Sequence, residues 1–168
     1  GGEMCLVTGN IDFTGGDQMS VFSGVKKNDN AVKVIAELSN TIASNNGSFR
    51  MNYGAAGLYR YTSKGTFGVN GSDSTYSAPS TNVLTGTSDI SEDVLIMRID
   101  GTEEAAPTGD QGTGNYGDYP LNIGARNNGN SLPLDGNIYG LVVRNVVSSA
   151  ADITNTEAYL AAKTGVTL

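Results

Sequence analysis

Apolar and polar residues alternate along most of this chain. Residues 18–27 place Met19, Val21, Ser23 and Val25 on one face, the period of two expected of a half-buried strand. Residues 32–38 repeat the pattern, with Val32, Val34, Ala36 and Leu38 on one side and Lys33, Ile35 and Glu37 on the other. The same residues could wind into a short helix, but their β-branched content and the flanking Asn turns favour a strand. Further strands are predicted over 3–8, 48–53, 58–64, 82–86, 93–100, 102–106, 119–125 and 134–147, the last being the longest. Residues 94–99 (V-L-I-M-R-I) are apolar on both faces, as a central strand would be. Turn signals separate these runs: 12–17, 27–30, Asn45-Asn46-Gly47, 54–57, Asn70-Gly71, Gly101, and the polar stretch 126–131 with Asn128-Gly129. Asn-Gly pairs mark such turns because both residues tolerate positive φ. Residues 65–80 carry no clear pattern, and 107–118 read as a long loop.

One helix is signalled, over 150–163. Ser149 fits the N-cap and Asp152 the third helical position, a capping-box arrangement. Ile153, Thr156 or Glu157, and Leu160 keep helical spacing, Lys163 sits in the last turn and Gly165 ends it, as the dipole and the left-handed C-cap prefer. About ten to twelve short strands with turn signals every ~8–12 residues argue a sandwich or barrel. The fold class is therefore all-β: an antiparallel two-sheet β-sandwich of the jelly-roll type with one short C-terminal helix.

The chain has 168 residues, 16% of them charged, and 23 glycines, which fits one turn-rich domain over 1–168. The net charge is −7 and Lys26-Lys27 is the only basic doublet. Nucleic acid needs a basic stripe to neutralise phosphates, so it is excluded as a partner. No apolar run approaches the ~20 residues of a spanning helix, so membrane insertion is not expected. Cys5 is alone in M-C-L-V; no intrachain disulfide can form, and it is expected to be a small core residue. The start at Gly1-Gly2 is taken as the sign of a piece of a longer protein.

The chain has no His, which removes Ser-His-Asp and Cys-His chemistry and His-based zinc. A glycosidase needs two carboxylates at a set separation. The nearest acidic groups, Glu92-Asp93 and Glu103-Glu104, are adjacent and point to opposite faces if extended. The chain is therefore expected to bind rather than catalyse. Sugar recognition needs an aromatic face and planar polar groups. The best such cluster is Asp110, Asn115, Tyr116, Asp118, Tyr119 and Arg126, on or beside the long loop. Tyr53, Tyr59 and Tyr61 offer a second aromatic patch. No cofactor is required, but Ca²⁺ takes loop oxygens, and Asp110, Asn115 and Asp118 could supply them. Asp12 with Asp17, and Asp29 with Asn30, are further candidates. None has a recognised metal spacing, and Asp and Asn serve turns equally well. Arg98 and Arg144 lie mid-strand and read as snorkelling or paired structural residues.

R-I-D-G at 98–101, L-N-I-G at 121–124, D-G-N-I-Y-G-L-V-V-R at 135–144 and S-A-A-D-I at 149–153 follow one another in a particular order. In that order the chain resembles the concanavalin A-like lectin/glucanase superfamily and, within it, the laminin G-like domains. Residues 110–126 and 156–165 look like the laminin G-like domain at the C-terminal end of bacteriophage virion proteins. The Glu-x-Asp-x-x-Glu pattern of jelly-roll glucanases is missing, while several members of the superfamily bind calcium. The resemblance implies a virion surface module on a tail or capsid fibre, displayed as a homo-oligomer. Its partners would be host cell-surface polysaccharide and other virion proteins. A purely structural virion domain and a carbohydrate-binding module of a bacterial secreted protein are the alternatives.

Overall fold

Strand formation follows the alternation closely in the computed structural model, which describes residues 5–54, 57–73 and 75–168. The elements are β1 (Leu6–Asp12), β2 (Gln18–Lys27), β3 (Lys33–Leu38), β4 (Ser48–Tyr53), β5 (Tyr59–Lys64), β6 (Gly68–Asp73), β7 (Ser80–Asp89), β8 (Val94–Ile99), β9 (Thr102–Ala105), β10 (Asp118–Ile123), β11 (Gly136–Arg144) and α1 (Ala150–Thr164). They form two antiparallel sheets, a six-stranded one in the order β1-β10-β3-β4-β5-β6 and a five-stranded one in the order β11-β2-β7-β8-β9. The sheets pack face to face, and α1 lies on the far side of the five-stranded sheet against β7, β2 and β11.

The core fills the space between the sheets. Met19, Val21 and Val25 from β2, Leu95, Met97 and Ile99 from β8, and Phe49, Met51 and Tyr53 from β4 meet there, all buried. Tyr59, Tyr61 and Tyr116 share that interior, and their hydroxyls are paired inside it. The Tyr116 hydroxyl lies 2.7 Å from Ser63 Oγ and 2.6 Å from Ser88 Oγ, and Ser88 Oγ lies 2.9 Å from the Tyr61 hydroxyl. A buried hydroxyl without a partner would cost about 1–3 kcal/mol, so this chain of contacts lets the Tyr61 and Tyr116 rings enter the core, and Asn82 does the same for Tyr59 at 3.2 Å. Lys27 is also buried: its Nζ donates to the Gly57 carbonyl at 3.1 Å and sits 4.2 Å from the centre of the Tyr59 ring.

Several expectations are corrected. The first strand starts at Leu6; residues 3 and 4 of the predicted 3–8 strand lie outside the described residues, as do 55 and 56 of the predicted 54–57 turn. Cys5 is exposed, not core, because it leads into β1, the edge strand of its sheet. Asn70-Gly71 is not a turn but the middle of β6, paired with Thr62 and Tyr61. Gly71 is there for packing: a Cβ would come within 2.7 Å of Leu95 on the opposite sheet. The alternation predicted over 32–38 breaks at a bulge between Val34 and Ala36. Ile35 and Ala36 both enter the core, and Val32, ahead of β3, is half exposed. Strand β8 is not buried on both faces; Val94 is exposed and Arg98 half-buried, because α1 covers the outer face over β7, β2 and β11 and not over β8. Strand β11 has 9 residues and is shorter than β2 and β7 with 10 each. The helix forms with Ser149 as N-cap and Gly165 as left-handed C-cap.

Two outcomes follow from this interior. Gly86 on β7 carries the Tyr61 ring so closely that a Cβ would lie 2.4 Å from it. Gly86→Ala is expected to lower the urea midpoint sharply, by an overpacking cost of about 1–3 kcal/mol or more, whereas Gly15→Ala, with open space around it, should leave it nearly unchanged. The second outcome concerns pH. Burial lowers Lys27 to about 8, while burial raises Tyr53, Tyr61 and Tyr116 and pushes Tyr59 up to about 12. From pH 8 to the free-lysine value near 10.4 the unfolded chain holds a proton that the fold does not, so stability from Lys27 rises with pH. Above about pH 10 the unfolded chain loses phenolic protons that the fold keeps, so stability falls. Melting temperatures measured from pH 7 to 12 should show a rise followed by a collapse, and Lys27→Met should abolish the rise alone.

Candidate functional site

The two outer faces of the sandwich differ. On the five-stranded sheet, Leu160 and Ala161 of α1 close over Phe22 and Val83. Glu157 of α1 is buried and takes Arg98 Nε at 2.9 Å and Thr85 Oγ1 at 2.8 Å. Among the described residues no helix lies on the outer face of the six-stranded sheet. Phe49, Met51 and Tyr53 on β4, and Tyr59 and Tyr61 on β5, point inward. Strand alternation therefore sends Arg50 and Asn52, and Arg60 and Thr62, outward.

Register then lines these side chains up. Asn122 on β10 pairs with Glu37 on β3, Glu37 with Arg50 on β4, Arg50 with Thr62 on β5, and Thr62 with Asn70 on β6. One row of polar groups crosses five strands. Beside it, Asn52 pairs with Arg60, and Arg60 with Ser72. Thr62 Oγ1 donates to Asn70 Oδ1 at 2.6 Å, and Arg50 Nε donates to Asn52 Oδ1 at 3.1 Å.

The row is walled on one side. Glu37 Oε1 accepts from the Ile42 N–H at 2.6 Å and from Arg126 Nη2 at 3.1 Å, and Arg126 also donates to Thr41 Oγ1. Lys64 Nζ holds the same segment by the Ile42 and Ala43 carbonyls, at 2.9 and 3.1 Å. Asn122 Nδ2 donates to the Ser39 carbonyl at 2.8 Å, and its Oδ1 accepts from the Asn128 N–H at 2.9 Å. Residues 39–46 and the hairpin at 126–131 are thus tied to the rim of the sheet by its own polar row.

Charge on this face is unbalanced. Strands β3, β4 and β5 carry one carboxylate, Glu37, and two guanidiniums, Arg50 and Arg60; Arg126 adds a third from the hairpin. Glu37 is fully buried, and its Oε2 has no hydrogen-bond partner. Burial raises its carboxyl above the usual range, against the Ile42 N–H, Arg126 and Arg50, which favour the charged form. Burial lowers the Arg50 guanidinium; Glu37 opposes that, and the like charges of Arg126 and Arg60 add to it. Arg60 Nε is buried and unpaired. Crowded guanidiniums with unused N–H groups are a site for an anionic oxygen donor. One central carboxylate is half of a glycosidase pair.

The residues singled out from sequence fall elsewhere. Tyr116 is a core side chain, 1% exposed; it cannot serve as a stacking platform, because its hydroxyl is needed between Ser63 and Ser88. Tyr53, Tyr59 and Tyr61 are buried too and form no surface patch. Asp110 caps its own turn, with Oδ1 accepting from the Gly112 N–H at 2.6 Å. Asn115 Nδ2 donates to the Thr14 carbonyl at 2.6 Å, and the Tyr119 hydroxyl donates to the Asn46 carbonyl at 3.0 Å. Asp118 is exposed at the start of β10, opposite Asp12. Arg126 lies apart from them, on Glu37. The six do not gather around one point. Asp12 is engaged by Thr14, and Asp29 by the Ala31 N–H. Among the described residues no three acidic, His or Cys side chains come together to hold a metal. Arg50, Arg60 and Glu37 are the residues that sequence reasoning missed; the available signal was a charge at an outward position of a strand whose other face is aromatic.

A family model described as the concanavalin A-like lectin/glucanases superfamily matches residues 10–154. No curated protein matches the sequence. Among solved structures, the CBM40 of the Ruminococcus gnavus IT-sialidase, bound to α2,3-sialyllactose, is 15% identical, covering 90% of this chain and 97% of its own, with a TM-score of 0.67. The NanB sialidase of Streptococcus pneumoniae is 18% identical over 89% of this chain, with a TM-score of 0.65, and this chain spans only 27% of its length. The binding domain of botulinum neurotoxin DC, in complex with SialylT, is 11% identical, covering 88% of this chain and 36% of its own, with a TM-score of 0.64. At these identities the likeness is one of fold.

The placement of Tyr116 has a measurable consequence. Tyr116→Ala is expected to destabilise the domain by about 3–5 kcal/mol, the range for large aromatic truncations in cores, and Tyr116→Phe by about 1–3 kcal/mol through the orphaned serines. Urea unfolding of the two variants checks this; wild-type midpoints for both would return Tyr116 to the surface.

Proposed function

The chain belongs to the concanavalin A-like lectin/glucanases superfamily, and from that premise we propose that it is a non-catalytic carbohydrate-binding domain. Its binding surface is the open outer face of the six-stranded sheet, and its ligand is a glycan bearing an acidic sugar. The observation that carries this reading is the polar row in which Arg50 and Arg126 share one carboxylate, with Arg60 close enough to Arg50 to repel it. Arg126 is committed to Glu37 and Thr41. Arg50 and Arg60, both half-buried, are therefore the groups that would meet a sugar carboxylate, with the exposed Asn70 beside them for a hydroxyl, while the buried Asn52 and Thr62 hold Arg50 and Asn70 in place. The sialyllactose complex of a module with this fold supports the ligand class.

The wider setting is a proposal as well. A carbohydrate-binding module of a bacterial secreted protein is supported by the fold shared with sialidase modules. Homo-oligomeric display on a bacteriophage virion, against host polysaccharide, is supported by the sequence resemblance at 110–126 and 156–165. Both settings use the domain in the same way, to hold a larger assembly on a glycan through many weak contacts.

The test is calorimetry with α2,3- and α2,6-sialyllactose and lactose, alongside an array that includes acidic bacterial polysaccharides. Acidic glycans should bind and lactose should not bind at this face. A charge-assisted hydrogen bond contributes about 1.5–3 kcal/mol, so Arg50→Ala and Arg60→Ala should each weaken binding on the order of 10- to 100-fold. An array without any acidic glycan bound, or binding indifferent to both substitutions, would overturn the proposal.

A further inference from the structure

The opposite side of the molecule holds a recess, between α1 and the edge strand β11. It has a volume of about 290 Å³ and is lined by Val142, Arg144, Asp152, Asn155, Thr156 and Tyr159, at the low end of the ~300–1,000 Å³ of small-molecule sites. Asp152, Asn155, Thr156 and Tyr159 are spaced at i, i+3, i+4 and i+7, one stripe of the helix. That stripe faces Val142 and Arg144, which share one face of β11.

The groups in this recess are held in place. Arg144 Nη2 donates to Thr156 Oγ1 at 3.1 Å and Nη1 to Ser148 Oγ at 3.3 Å, and the guanidinium lies 5.6 Å from the centre of the Phe22 ring. Asp152 Oδ2 accepts from Ser149 Oγ at 2.7 Å. Lys163 Nζ sits 4.8 Å from the centre of the Tyr159 ring, a cation–π contact that steadies a side chain 57% exposed to solvent. The Asn155 side chain and the Tyr159 hydroxyl have no hydrogen-bond partner among the described residues.

We propose that this recess is a second sugar site, one that takes a single neutral pyranose ring. An exposed aromatic ring offers a face for sugar C–H groups, and the amide, carboxylate and guanidinium around it are planar partners for paired hydroxyls. Neutrality follows from the charges: Arg144 and Asp152 stand 4.0 Å apart and balance each other, so an ionic ligand would gain one contact and oppose the other. This site lies across the sandwich from the arginine face and does not depend on it. A domain with both sites would grip two different parts of a heteropolysaccharide, or two chains at once, and gain avidity without a second copy.

The experiment is a titration of the uniformly ¹⁵N-labelled protein with methyl pyranosides of glucose, galactose, mannose and N-acetylglucosamine, followed by two-dimensional NMR. At least one sugar should shift the Asn155 side-chain amide and the backbone amides around Tyr159 with millimolar affinity, while Arg50, Asn52 and Arg60 stay still. Tyr159→Ala and Asn155→Ala should each weaken that binding at least tenfold, and Tyr159→Phe should keep most of it. Tyr159 is exposed, so the spectrum of its Ala variant should otherwise match wild type and show that the fold is intact. No shift on α1 at tens of millimolar of any of the four sugars, or shifts unchanged by Tyr159→Ala, would overturn the proposal. Loss of sialyllactose binding at the arginine face would not, so the two readings fail separately.

Discussion

The contact of the Tyr61 ring with the bare backbone of Gly86 sets how closely the two sheets lie. A single carbon at Gly86 would sit 2.4 Å from the ring, and one at Gly71 would sit 2.7 Å from Leu95. At that spacing rings from the six-stranded sheet interdigitate with Met, Val, Leu and Ile side chains of the five-stranded one, and glycines open room where the two approach most closely. Tyrosines bring hydroxyls with them, and each hydroxyl must find a partner inside. Ser63 and Ser88 serve Tyr61 and Tyr116, Asn82 serves Tyr59, and the Asp135 carbonyl serves Tyr53. The long loop is consequently anchored by its own Tyr116, and by Gln111, whose Nε2 donates to the Asp89 and Val94 carbonyls. It closes one end of the core instead of reaching outward.

The inner faces are consumed by packing, and the two outer ones are built in opposite ways. One is covered by α1 and pinned by the buried Glu157 to Arg98 and Thr85. The other buries Glu37 at its centre under side chains and the segments it binds, not under a helix. Removing a partner from a buried carboxylate costs several kcal/mol, so Glu37 holds Arg126 and the Ile42 N–H tightly and thereby fixes the loop at 39–46 and the hairpin at 126–131. Arg50 is left facing a carboxylate whose second oxygen has no hydrogen-bond partner, between two other guanidiniums. The face is rigid where it is internally paired and unsatisfied where it is not, which is the arrangement that preorganised binding requires.

Most of the architecture was legible because it rests on local rules. Strand β2 sends Met19, Val21 and Val25 inward as its pattern predicts, though α1 buries its other face as well; Asn45-Asn46-Gly47 turns with Gly47 at positive φ, and the Ser149 and Asp152 pair caps α1 as its spacing predicts. What was not legible depends on partners far away in sequence. Asn70-Gly71 reads as a turn until Leu95 is seen to need the missing side chain. Tyr116 in a Gly-rich loop reads as a binding residue until two serines, from β5 and β7, claim its hydroxyl. Arg50, Arg60 and Glu37 lie on three strands, and only the register sets Arg50 beside Glu37 and Arg60 beside Asn52, two residues along from Arg50. A period of two shows which residues face outward, but pairing partners are set by tertiary structure.

The net charge bears on how such a face would work. The chain carries −7 overall, so its far field repels an approaching anion, and long-range steering does not help an acidic glycan to arrive. Beyond about 8–10 Å that field is screened in physiological salt. Inside that distance the guanidiniums act on their own, and hydrogen bonds to a carboxylate supply the attraction. Association is then slow or ordinary, and selectivity lies in how long a correctly placed carboxylate stays. Polyanions that rely on diffuse charge are turned away, while one compact acidic group that reaches Arg50 and Arg60 is kept. On the proposed reading, an acidic protein with a small cationic face favours a discrete acidic sugar over nucleic acid, and the fold supplies that contrast by placing its arginines on a sheet surface that no helix covers among the described residues.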